Sequence, residues 1–351
     1  PFLIPVGYKL STAEYSNLVD KIAEILPNVR ENRQSMQGRF ISLLESTTNT
    51  SVPLDAQSYS LPTKRESDLI LAYSKLIVKT NGRVSESYYS VLFDSVKKIP
   101  YYVVSGTQKS DLMTLASFVN AFMEAARAVP SKRDSAFDVI ETVISSLLED
   151  QSKESILFTV LQTLALWDGE YPFPHDRLMP FANRIFSYMQ KLNDILSHSR
   201  GSATVDLSQR LSVLFHIESH IMSTLKYSTV SMEYITPTLT KLYTMADTFT
   251  SRASHPRLIV ASLSMLECCS FFFPELRSDV WRRTWDCMML GCREKAVQTG
   301  ITQAAIASLT LLCPLMLDAL PACAPDVHEL LDNAALGAEA KETLAGGLMR
   351  L

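Results

Sequence analysis

Amphipathic helical segments recur in pairs along this chain with a spacing of about 44 residues, and that spacing limits the fold more than any single residue does. Candidate first helices begin near Lys64, Gln108, Ser152, Leu207, Arg257 and Ile301, in steps of about 44, 44, 55, 50 and 44 residues. No alternating strand pattern and no catalytic signature interrupts the series. A chain of 351 residues exceeds the size at which one compact core stops growing, so it needs either several domains or a core lengthened by stacking. The repetition favours stacking. With 47% apolar and 20% charged residues and only 11 glycines, the composition is that of a folded, helix-rich protein.

The apolar spacing predicts helices at 12–26 with 31–46, 64–80 with 85–98, 108–128 with 131–149, 152–167 with 175–197, 207–227 with 231–253, 257–273 with 276–298, and 301–319 with 326–349. Ser11 with Glu14, Thr63 with Glu66, Ser131 with Asp134 and Asp326 with Glu329 have the spacing of capping boxes, in which a short oxygen accepts from a free amide at the helix start. Pro27, Pro100, Pro130, Pro274 and Pro321 follow apolar runs and mark helix ends, because proline has no amide proton to continue the ladder. In the segment from Gln108, Leu112, Leu115, Ala116, Val119, Phe122, Met123 and Ala126 form one face, with Lys109, Asn120, Glu124 and Arg127 on the rest. Phe137, Ile140, Ile144, Leu147 and Leu148 repeat the device, as do Ile156, Leu157, Val160, Leu161 and Leu164.

Each large aliphatic side chain contributes about 1.5 to 3 kcal/mol on full burial, so five or more per helix oppose the entropy lost in ordering it. An isolated pair leaves one apolar edge bare, which its neighbours must cover. The expected architecture is a right-handed α-solenoid of about seven irregular helical hairpins in one elongated domain over 1–351, with a compact multi-helix bundle as the alternative. Flexible loops are expected at 47–62 and 197–206, either of which would serve as a docking or phosphorylation segment. The chain opens on Pro1, and its glycine-rich stretch from Ala334 to Leu351 makes a poor end cap. A part of a longer protein, or a partner covering this end, is therefore expected.

A formal net charge of −4 offers no global attraction to nucleic acid or to anionic lipid. The six cysteines, Cys268, Cys269, Cys287, Cys292, Cys313 and Cys323, fall mostly within apolar helical patterns and form no Cys-x-x-Cys pair. They read as small buried hydrophobes in a reducing compartment, the cytoplasm or the nucleus. Neither Leu258 to Phe273, interrupted by Glu267, nor Ala304 to Leu317, interrupted by Pro314, reaches the roughly 20 apolar residues of a transmembrane helix.

Candidate chemistry is sparse. His216 and His220 stand at i and i+4, as a helical metal pair does, but the acid between them is Glu218, about 200 degrees around the helix from His216, and no third ligand is evident. Gly106 to Ser110 imitates a phosphate loop without its adjacent glycine and lysine. No nucleophile elbow or dinucleotide fingerprint occurs, so no cofactor and no metal is assigned. Trp281 and Trp285 lie one turn apart on a stripe with Met288 and Cys292, flanked by Arg282, Arg283 and Arg293. Tryptophan and arginine dominate binding hot spots, which makes this ridge the candidate partner-binding surface, with core packing of the indoles as the plainer reading. One tyrosine of each adjacent pair, Tyr88 with Tyr89 and Tyr101 with Tyr102, is expected to be exposed.

The paired helices, proline-marked ends and apolar stripes resemble HEAT and armadillo-type α-solenoid proteins, although only Pro237 and Pro314 hint at the proline of that repeat's first helix. The resemblance implies a curved binding scaffold. The expected function is thus noncatalytic: a scaffold or adaptor within a larger intracellular complex, binding protein partners along its surface. A helical metal-dependent enzyme using His216 and His220 and a peripheral membrane adaptor are the alternatives.

Overall fold

The computed structural model of the chain describes residues 71, 86–101, 109–167, 171–226, 228, 230–251, 255–293, 301, 304, 305, 307–309 and 312. Among these residues nine α-helices follow one another and no strand occurs, as the spacing predicts: α1 (Glu86–Lys97), α2 (Lys109–Ala128), α3 (Arg133–Glu149), α4 (Glu154–Ala165), α5 (His175–His198), α6 (Ser202–Leu225), α7 (Met232–Ser251), α8 (Pro256–Phe272) and α9 (Arg277–Arg293). The expected helices at 12–26, 31–46 and 326–349, the loop at 47–62 and the glycine-rich end lie outside the described residues, and of the expected helices at 64–80 and 301–319 only residue 71 and residues 301, 304, 305, 307–309 and 312 are described.

Within the described residues the proline stops act where expected; Pro27 and Pro321 lie outside them. Helix α2 ends before Pro130 and α8 before Pro274, each proline opening a short 3-10 turn, and Pro100 lies within the turn after α1. Of the expected capping boxes only that of Ser131 with Asp134 lies within the described residues, and it differs from expectation. Ser131 and Asp134 form no capping box: α3 begins after a 3-10 turn at Pro130–Lys132 with Lys132 as its cap and no side-chain cap bond. Before α4 it is Asp150 that closes the turn, its Oδ1 accepting from the Ser152 amide at 2.9 Å and the Ser152 hydroxyl at 2.6 Å. The expected loop at 197–206 contracts to Ser199, Arg200 and Gly201, because α5 runs to His198 and α6 starts at Ser202. Gly201 makes so short a turn possible: its φ of 68° is a conformation that L side chains avoid.

The chain groups into two compact units, Pro1–Pro174 and His175–Leu351. In unit 1, α1 packs on α2 and α3, and α4 packs on α2 and α3. Phe118, Phe122 and Phe137 are fully buried there, and Phe137 meets Phe173 edge-on at 5.4 Å. In unit 2, α5 packs on α6, α7 on α8, and the next-but-one helices α6 and α8 share the most extensive interface, with smaller ones joining α5 to α7 and α7 to α9. Phe181 and Phe215 fill this core, Phe215 lying edge-on to Phe249 at 6.0 Å.

This packing shifts the pairing by one helix. The spacing pairs 207–227 with 231–253, but α6 packs on α5 and α8 instead, so the tight hairpins are α1 with α2, α3 with α4, α5 with α6 and α7 with α8. Periodicity locates helices and not the loops that turn sharply enough to bring two of them together. The three-residue connection at Gly201 does so for α5 and α6. With this pairing, Pro180 and Pro237 both occupy the sixth position of a first helix, α5 and α7. Both are exposed, where a carbonyl deprived of its amide partner is hydrated.

Candidate functional site

Polar and cationic groups link successive hairpins at matching places. On the first-helix side, the Tyr89 hydroxyl of α1 lies 3.3 Å from the Ser135 hydroxyl of α3. Thr238 of α7 donates to Asn183 of α5 at 2.6 Å, and Arg283 of α9 donates through Nε to Asp247 of α7 at 2.7 Å. On the second-helix side, the cation near the end of α2, Arg127, stacks over Trp167 just past α4 at 5.4 Å, while Lys226, at the end of α6, stands over Phe271 near the end of α8 at 3.9 Å. A cation also suits these places because the carboxyl end of a helix is partially negative. The two contacts repeat one device in two units. Sequence inspection assigns Glu124 to the solvent side of its helix, yet it is buried and bound to Arg127 at 2.6 Å.

The candidate ridge of α9 divides. Trp281 and Trp285 stack at 6.3 Å with their planes 19° apart, but they are only 5% and 8% exposed and belong to the core with Val280, Thr284 and Cys287. Arg282 is exposed, Arg283 is half-buried in its ion pair with Asp247, and the side chain of Arg293 lies outside the described residues. The indoles therefore support the helix from inside, and Arg282 stands outward beside Ser278, Asp279 and Asp286. Of the tyrosine pairs, Tyr89 is buried and Tyr101 exposed.

Exposed large apolar side chains follow a different rule. Tyr101, Met113, Leu166, Ile195, Val205, Met232 and Tyr234 all lie within about one turn of a helix end. Leu166, 74% exposed directly after α4, is the extreme case. Ile195 and Val205 flank the short Gly201 turn, one on each helix of the hairpin. Among the described residues the hairpin edges, rather than the two tryptophans, thus carry the exposed large apolar side chains. No periodicity reveals this, because a residue near a helix end obeys the same spacing whether or not a neighbour covers it.

His216 and His220 are half-buried on α6, and burial holds the His216 imidazole below its ordinary pKa, so it favours the neutral form. Among the described residues no group of three His, Cys, Asp or Glu side chains is placed to hold a metal ion. The acid between them, Glu218, is entirely buried, and neither of its carboxyl oxygens meets a hydrogen-bond donor. Burial pushes the Cys268 thiol up to about 12 and Cys287 to about 11, and Cys269 well above its ordinary range, so all three are poor nucleophiles. All three are free thiols; Cys292, Cys313 and Cys323 lie outside the described side chains. Among the described residues no helix is long and apolar enough to cross a membrane. No protein-family model, curated protein or solved structure matches the chain.

Proposed function

We propose that the chain is a noncatalytic helical-repeat scaffold that binds protein partners along the edges where its helices turn, as part of a larger intracellular complex in the cytoplasm or the nucleus. The observation that carries this reading is the location of the exposed apolar residues at helix ends, on hairpins that within each unit pack on one another. An extended partner laid along such edges meets several apolar contacts at fixed spacing, which lowers the cost of ordering it although each contact is modest. Within each unit the next-but-one packing of α1 on α3, α2 on α4, α5 on α7, α6 on α8 and α7 on α9 supports an α-solenoid of HEAT or armadillo type, and the prolines of α5 and α7 add to the resemblance. Buried free cysteines suit a reducing compartment.

Crosslinking mass spectrometry in native cells tests the reading. Partner crosslinks are expected around the α5–α6 turn, and a variant with Ile195→Asp and Val205→Asp is expected to lose them while keeping its helical circular dichroism. Undiminished crosslinks in that variant would assign binding to another surface. The α9 residues Arg282, Arg283 and Arg293 remain in the proposal only as polar flanking contacts.

A further inference from the structure

Glu218 lies within α6, which packs extensively against α5 and α8. Full burial and the lack of a donor for either oxygen leave a carboxylate there without solvation or a partner. A charge so placed is expensive, and the group avoids it by retaining its proton. The buried or half-buried titratable groups of the two neighbouring helices are His175, Arg177 and Tyr188 on α5 and Glu267, Cys268 and Cys269 on α8. Glu267 accepts from Ser308 at 2.6 Å, and the two thiols point to the carbonyls of Ser219 and Leu239 at 3.8 and 3.9 Å. None of these groups contributes to the state of Glu218: burial alone pushes its pKa well above the carboxyl range.

We propose that Glu218 is a proton-held joint of unit 2, seated between its helix neighbours while neutral and opening the α6–α8 packing when it ionises. The direction follows from linkage. An exposed glutamate ionises near pH 4.3, so above about that pH the opened form gains a charge that the closed form withholds. The closed form is most favoured below that range, and its advantage is lost as pH rises towards the raised pKa of the buried group, by about tenfold per pH unit. This holds whether or not the chain is a scaffold.

Amide hydrogen exchange on the full chain, corrected for intrinsic rates, tests it between about pH 5 and pH 7. Protection of α6 and α8 is expected to fall with rising pH in the wild type, by up to about tenfold per pH unit as long as the buried carboxyl keeps its proton, while α2 and α4 of unit 1 keep theirs. Glu218→Gln should abolish the slope, and Glu218→Leu should do the same should the amide variant fold poorly. A flat wild-type profile in α6 and α8 would overturn the proposal without reference to any variant. So would an unchanged slope in either variant, or an equal loss in unit 1.

Discussion

At the scale of single residues, the contrast between Trp281 and Arg282 separates support from display. The indole is buried against the core, and its loss in Trp281→Ala is expected to cost about 3 to 5 kcal/mol in urea unfolding. Arg282→Ala, at an exposed position, should change stability by no more than about 0.5 kcal/mol. A similar cost for both would mean that the arginine is packed. The sequence makes both residues attractive because tryptophan and arginine are the residue types of hot spots, but composition does not say which way a helix faces. The stripe through Trp281 and Trp285 was legible as an apolar face, and so was its default role in the core. Glu218 was legible only as an acid on the wrong side of the helix for the His216 and His220 pair. Its burial comes from α5 and α8 closing over α6, contacts made by residues far away in the chain.

At the scale of elements, local chemistry placed most helices and long-range packing decided how they pair. Apolar spacing and proline stops suffice for α2, α3, α8 and most of α5, since both act within a few turns. At Ser131 the 3-10 turn opened by Pro130 replaces the expected capping box, and at 197–206 a polar, serine-rich stretch compatible with both a loop and a helix start is resolved by the tight turn at Gly201. Gly201→Ala should destabilise the chain by about 1 to 3 kcal/mol, read as a lower urea midpoint with an unchanged slope. The cost is conformational, because no atom lies within 4 Å of the added methyl group. A neutral result would mean that the turn relaxes to negative φ. Helix α7 shows another local device, in which Thr236, Thr240, Thr244 and Thr248 each donate to the carbonyl four residues back, at 2.7 to 2.9 Å. These bonds satisfy polar hydroxyls along a largely solvent-facing stripe and favour a gentle bend of the helix.

For the whole molecule, the proposed solenoid is separated from a bundle by size in solution. A compact sphere of 351 residues has a radius of gyration of about 20 Å. Small-angle scattering from the chain is expected to give a larger value and an asymmetric distance distribution, and a value at the compact limit would reject stacking across the chain. The period and composition pointed to sequential helices. They did not reveal the grouping into Pro1–Pro174 and His175–Leu351, since the helical pattern runs through that boundary without a change in residue type. Within unit 2 the two sides of the hairpins are joined unequally: α6 and α8 by an extensive apolar interface, α5 to α7 and α7 to α9 by smaller contacts with one polar link apiece. While Glu218 keeps its proton, such a stack would have a stiff spine and a compliant margin. Bent by a load, it would fan open along the α5, α7 and α9 margin like the leaves of a book, while the binding of α6 to α8 keeps the pages in order.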